Sequence, residues 1–82
     1  MFIELTQLSS CVELKGASRF VMHYRTSGSP SCWTEWYEDS TKDPEEFINM
    51  VNSFITKEEE YHTLQGNIPG YGMYDLKLEV IF

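Results

Sequence analysis

Asp43-Pro44-Glu45-Glu46 is the stretch that most narrows what this chain can become, because it fixes where a helix must start. An Asp before the first turn can accept from free backbone N–H groups, Pro suits the first helical position, and a Glu three residues after the cap can close a capping box and face the positive helix end. From there Phe47, Ile48, Val51, Phe54 and Ile55 fall on one stripe, with Glu45, Asn49, Ser53 and Thr56 opposite. Continuing that helix would carry Glu58 into the apolar stripe. The pattern therefore predicts a break near Thr56 and a short extra turn over 57–64, anchored by Tyr61 and Leu64.

The segments around this helix read as strands. Residues 2–15 lack helical periodicity and suggest one long strand bent at Ser9-Ser10, since Ser-Ser is a poor two-residue hairpin turn. Lys15-Gly16-Ala17-Ser18 is a better turn. Arg19 to Thr26 then alternates, with Phe20, Met22 and Tyr24 on one side and Arg19, His23 and Arg25 on the other. After a Gly/Ser/Pro loop over 27–31, a third strand is expected from Cys32 to about Glu38. A carboxylate is seldom buried unpaired, so the face carrying Glu35 is expected to be wet, sending Trp33 and Tyr37 to solvent and Trp36 inward. The Gly/Pro-rich run 65–72 predicts a loop. Met73 to Phe82 is the best alternating run, with Tyr74, Leu76, Leu78, Val80 and Phe82 opposite Asp75, Lys77 and Glu79.

The expected fold class is thus α+β, a single domain over 1–82 of order β-β-β-α-β. It has an antiparallel meander of three strands, one amphipathic helix packed on one face, and a C-terminal strand returning parallel to the first in the order 4-1-2-3. No internal repeat or low-complexity tract is present. No apolar run approaches the roughly 20 residues of a membrane span and the start has no basic leader, so a cytoplasmic protein with both cysteines reduced is expected.

Thirteen acids against six bases give a formal charge of −7. Nine of the acids, with only two bases, lie in residues 31–60. Nucleic-acid affinity rests largely on Lys and Arg, so direct nucleic-acid binding is not expected in this acidic chain, even with Arg19, Arg25 and Lys77 able to share an outer face with Trp33 in the manner of sheets on which bases stack.

Candidate chemistry is sparse. Cys11 and His23 could be neighbours across a first hairpin, the setting a nucleophilic thiol needs, but nothing completes a catalytic set. Cys11, Cys32, His23 and His62 have no metal-ligand spacing, and 66–72 lacks the Lys and following helix of a phosphate loop. No catalytic residue, metal or cofactor is expected, and the chain reads as a non-enzyme.

What remains is an aromatic and acidic band of Trp33, Glu35, Tyr37, Glu38, Asp39 and Glu45, a candidate partner surface in which the aromatics anchor and the acids steer a basic protein. In size and charge the chain is similar to the small acidic inhibitors that phages and mobile elements direct against host nucleases and defence complexes, the anti-CRISPR type among them, and to toxin-immunity proteins. That likeness covers no aligned residues. It implies a protein that occludes a basic, nucleic-acid-handling partner. The alternative is a homodimer formed through open strand edges.

Overall fold

The computed structural model describes residues 1–27, 33–64 and 73–82, with the backbone alone for 61–64 and 73. Its elements are β1 (Phe2–Ile3), a 3-10 helix (Leu5–Glu13), β2 (Arg19–Ser27), β3 (Tyr37–Thr41), α1 (Pro44–Leu64) and β4 (Met73–Ile81). The four strands form one antiparallel sheet in the order β1-β4-β2-β3, with α1 and the 3-10 helix on one face. The class is α+β with one main helix and a C-terminal strand, as the sequence pattern predicts.

The strand order is not the expected 4-1-2-3, and β1, β2 and β3 do not form a meander. Most of the expected first strand is the 3-10 helix instead. Its apolar residues Leu5, Leu8, Cys11 and Leu14 recur every three positions, the spacing that eclipses on a helix of three residues per turn. Leu8 and Cys11 are buried. The Glu4 N–H donates to Gln7 Oε1 at 2.8 Å, tying down the helix start. Only two residues remain for β1, too few to flank β2, so β4 takes that place and pairs with all of it, from Arg19 opposite Ile81 to Ser27 opposite Met73. β3 and β4 run parallel with β2 between them, so β3-α1-β4 is a split crossover unit.

α1 starts where expected. Asp43 Oδ1 accepts from the Glu45 N–H at 3.0 Å, and the Asp43 carbonyl accepts from Phe47. The reciprocal half of a capping box does not form as expected with Glu46, since the Asp43 N–H donates to Thr41 Oγ1 at 3.1 Å. The expected break at Thr56 is absent: α1 is continuous for 21 residues. At 1.5 Å per residue this is about 31 Å, the length of a nine-residue strand at about 3.4 Å per residue. A helix of that length spans β2 and β4 from end to end. Glu58 is half-buried as the stripe requires, and burial pushes its carboxyl up. The side chains of Tyr61 and Leu64 lie outside the described ones, as does the expected loop 65–72.

The core lies between α1, the 3-10 helix and one face of the sheet. Phe20, Met22, Leu78 and Val80 from the sheet meet Phe47 and Val51 from α1, with Leu8 and Cys11 closing the end. Phe20 packs on Phe47 with ring centres 5.4 Å apart, and Tyr24, Phe54 and Tyr74 extend this aromatic row. Phe82, expected on the apolar face, lies past the end of β4 and is exposed.

Candidate functional site

The sheet face turned away from α1 carries the side chains that the core alternation leaves over. Register places Arg19, Val21, His23 and Arg25 of β2 beside Asp75, Lys77, Glu79 and Ile81 of β4, with Phe2 of β1 at one margin and Glu38 and Ser40 of β3 at the other. Arg25 is the centre of this face. Its Nε and Nη2 both reach Asp75 Oδ2 at 2.7 Å. Its guanidinium lies 4.7 Å from the Trp33 ring centre and 4.9 Å from that of Trp36. Lys77 Nζ sits 4.6 Å from Trp36 on its own account. A cation is attracted to the negative face of an indole ring, so these contacts latch the segment 33–36 onto the sheet. The Thr34 N–H donates to the Thr26 carbonyl at 3.0 Å and the Thr26 N–H to Thr34 Oγ1 at 3.2 Å, completing the latch.

His23 bridges the strands on either side of it. A carboxylate only accepts, so His23 Nε2 donates to Glu79 Oε1 at 2.9 Å, while Nδ1 stands 3.7 Å from Glu38 Oε2. Cys11 is on the other side of the sheet, in the core, 1% exposed, with its thiol donating to the Pro44 carbonyl at 3.7 Å. Burial pushes that thiol up, opposite to what a nucleophile needs. The expected neighbourhood of Cys11 and His23 is therefore not formed. Among the described residues no cluster of His, Cys, Asp and Glu is arranged to hold a metal ion; Cys32 and the His62 side chain lie outside them.

The six predicted contact residues divide between the two faces. Trp33 is half-buried over Arg25, not directed freely to solvent. Trp36, expected inside, is 40% exposed on the open face. The reason is that 34–36 is not strand: Trp33 makes only an isolated bridge to Ser27, so alternation is not carried from Trp33 to Tyr37. Tyr37 is 54% exposed as expected but lies on the α1 side, 5.8 Å from the Tyr24 ring. Asp39 is beside it on that side; burial, and after it the Asp39 carboxylate, push the Tyr24 hydroxyl up. Glu38 points to the open face, Glu35 is exposed in the latch segment, and Glu45 is exposed in the first turn of α1. Pattern reasoning missed the latch because its organising residue, Arg25, lies in β2. A signal was present in the two Trp of 33–36 and an Arg in the strand before them.

Charge is segregated accordingly. The open face carries Arg19, Arg25 and Lys77 against Glu38, Asp75 and Glu79, three of each sign. The other ten acids and three bases hold the whole formal −7. Six exposed acids, Glu35, Glu38, Asp39, Asp43, Glu45 and Glu46, lie within twelve residues that run from the latch along β3 to the corner where it leads into α1, with Lys42 the one base among them. No helix among the described residues is long and apolar enough to cross a membrane. Comparison of the chain with protein-family models, with curated proteins and with solved structures found no match.

Proposed function

We propose that this is a non-enzymatic cytoplasmic binding protein that inhibits a basic, nucleic-acid-handling protein by covering its surface with the acidic corner of β3 and α1. The observation that carries the reading is the concentration of exposed acids beside an exposed tyrosine. Glu35, Asp39, Asp43, Glu45 and Glu46 are solvent-facing along the stretch that carries Tyr37, and Glu38 faces solvent from the open side of the same strand. Asp43 and the first-turn acids also serve the helix start, so Glu35, Tyr37, Glu38 and Asp39 carry most of the contact. Such an edge attracts a basic groove over a distance and repels nucleic acid from the same groove. A phage or mobile-element inhibitor of host defence and a toxin-immunity protein both use this physics.

The test is capture of a partner at low salt, then competition with DNA or RNA on that partner. Occupied partner should lose nucleic-acid binding, and the complex should dissociate as salt rises. The pair Glu38→Lys and Asp39→Lys should weaken it at least about tenfold, while Glu13→Lys, on the 3-10 helix, should have little effect. An affinity indifferent to both salt and the two charge reversals refutes the reading.

A further inference from the structure

β4 is nine residues long, yet β1 covers only Leu78 and Glu79 of its outer edge by register. The Val80 N–H donates to the Met1 carbonyl at 2.7 Å, and the Met1 amino group to the Val80 carbonyl at 2.9 Å. Val80 thus turns its backbone groups toward β1. Antiparallel alternation then directs those of Leu78, Leu76 and Tyr74 the same way, and those of Glu79, Lys77 and Asp75 toward β2. Leu78 lies opposite Ile3, but past Ile3 the chain leaves the sheet for the 3-10 helix. Among the described residues no strand lies beside Leu76 and Tyr74. A groove runs there, lined by Phe2, Ile3, Glu4, Leu76, Lys77 and Leu78, with Phe2 63% exposed.

We infer that the outer edge of β4 at Tyr74 and Leu76 is a strand-addition site for an extended segment of another protein, running antiparallel to β4 in line with β1. Unpaired N–H and C=O groups in a row are a template for one more strand, and the flanking side chains select its sequence. Glu4, still extended, holds the place opposite Lys77 in the register of β1, so successive residues of the incoming strand lie opposite Leu76, Asp75 and Tyr74. Apolar contact on the α1 side and charge complementarity to Asp75 on the open face select apolar, basic and apolar residues in that order. A second copy of this chain is the poorer occupant. Pairing β4 with its twin about Leu76 would set Lys77 opposite Asp75 but would put the twin's Tyr74 where Ile3 already pairs with Leu78; pairing about Asp75 sets two aspartates directly opposite, and each copy brings a charge of −7. The outer edge of β3 is a poorer template, because Glu38 and Asp39 line it. The site is separate from the acidic corner and stands without it.

The probe is a blocked five-residue peptide that begins Val-Lys-Val, titrated to millimolar concentration into the isotope-labelled intact protein. The Tyr74 and Leu76 amides should shift and exchange at least about tenfold more slowly, with Glu38 and Ser40 unaffected. Asp75→Asn should weaken this peptide about threefold, and a peptide with Glu in place of its Lys should bind the wild type less tightly. Glu38→Lys with Asp39→Lys should leave it unchanged, so the outcome is independent of the proposed function. Unshifted amides overturn the inference, as does equal binding of a peptide N-methylated where it meets Leu76. Protection of both amides in the dilute free protein, or a mass that rises with concentration and blocks the peptide, overturns it too.

Discussion

Replacing Arg25 tests the latch most directly, because that one guanidinium touches both tryptophans and Asp75. In Arg25→Met the stem stays and the charge goes. Two cation–π contacts at partly exposed sites contribute about 0.5–1 kcal/mol each. The ion pair adds only about 0–1 kcal/mol, since the Arg25 and Asp75 side chains are 32% and 43% exposed and solvent screens them. The expected loss is about 1–3 kcal/mol. For a domain of this size each kcal/mol moves the melting temperature by about 4–8 °C, so Tm should fall by at least about 4 °C. Both tryptophans of the chain lie in the latch, so their emission reports on it alone and should shift to the red as the segment lifts. Asp75→Asn removes the ion pair but keeps the stacking and should cost less than Arg25→Met. A protein that melts like wild type with unchanged emission after Arg25→Met refutes the latch as a stabilising element.

Three further outcomes follow from burial. Glu58 is pushed up by desolvation, so its ionised form costs stability above the folded-state pKa, and that cost is lost as pH falls through it. Glu58→Gln should therefore raise Tm at pH 7 and give no gain in acid below the ordinary Glu range, as melts at both pH values will show. Deleting residues 80–82 removes Val80, fully buried in strand β4, together with its two bonds to Met1. A buried Val contributes about 1.5–3 kcal/mol and each hydrogen bond about 1, so circular dichroism should show a largely unfolded chain at 25 °C. Cys11→Ser puts a hydroxyl at a 1% exposed apolar site and should cost about 1–3 kcal/mol in urea unfolding. The wild-type thiol should resist a thiol reagent until the protein unfolds.

The sequence was most legible where one face of an element is buried and the other wet. β2 and β4 alternate for that reason, and their apolar sets meet in the core as read from the pattern. α1 was legible at its start because capping is local chemistry. Its end was not, because the length of the sheet beneath it decides whether carrying Glu58 inward is worth the cost. The 3-10 helix was hidden by its period of three, which matches neither strand nor α-helix. Its formation then removed the long first strand on which the expected order rested. Strand alternation does not place Trp36, because the segment 33–36 is held by side-chain stacking rather than by ladder bonds. Of the candidate site, the acidic corner could be read from charge spacing. The split of Tyr37 and Asp39 from Trp33 and Glu38 depends on where β3 begins, which only the pairing with β2 decides.

The open face has the ingredients of a single-strand nucleic-acid platform, with Trp33, Trp36 and Phe2 near Arg19, Arg25 and Lys77. The arrangement of those ingredients favours the opposite outcome. Bases stack on free rings and phosphates need unpaired cations. Here the ring faces that a base would use are turned toward Arg25 and Lys77, and Arg25 is bound to Asp75. A strand docking on this face would have to displace those contacts before gaining its own. It would also approach Glu38, Asp75 and Glu79, with the rest of the molecule contributing −7. Unlabelled oligouridine should therefore leave the tryptophan emission of the wild-type protein unchanged at moderate salt. Asp75→Asn frees part of the Arg25 charge and is the variant most able to gain such binding. Quenching of the wild type at micromolar RNA would show that the stacked cations are held for the nucleic acid rather than for the fold, and would overturn the acidic-corner proposal together with this one.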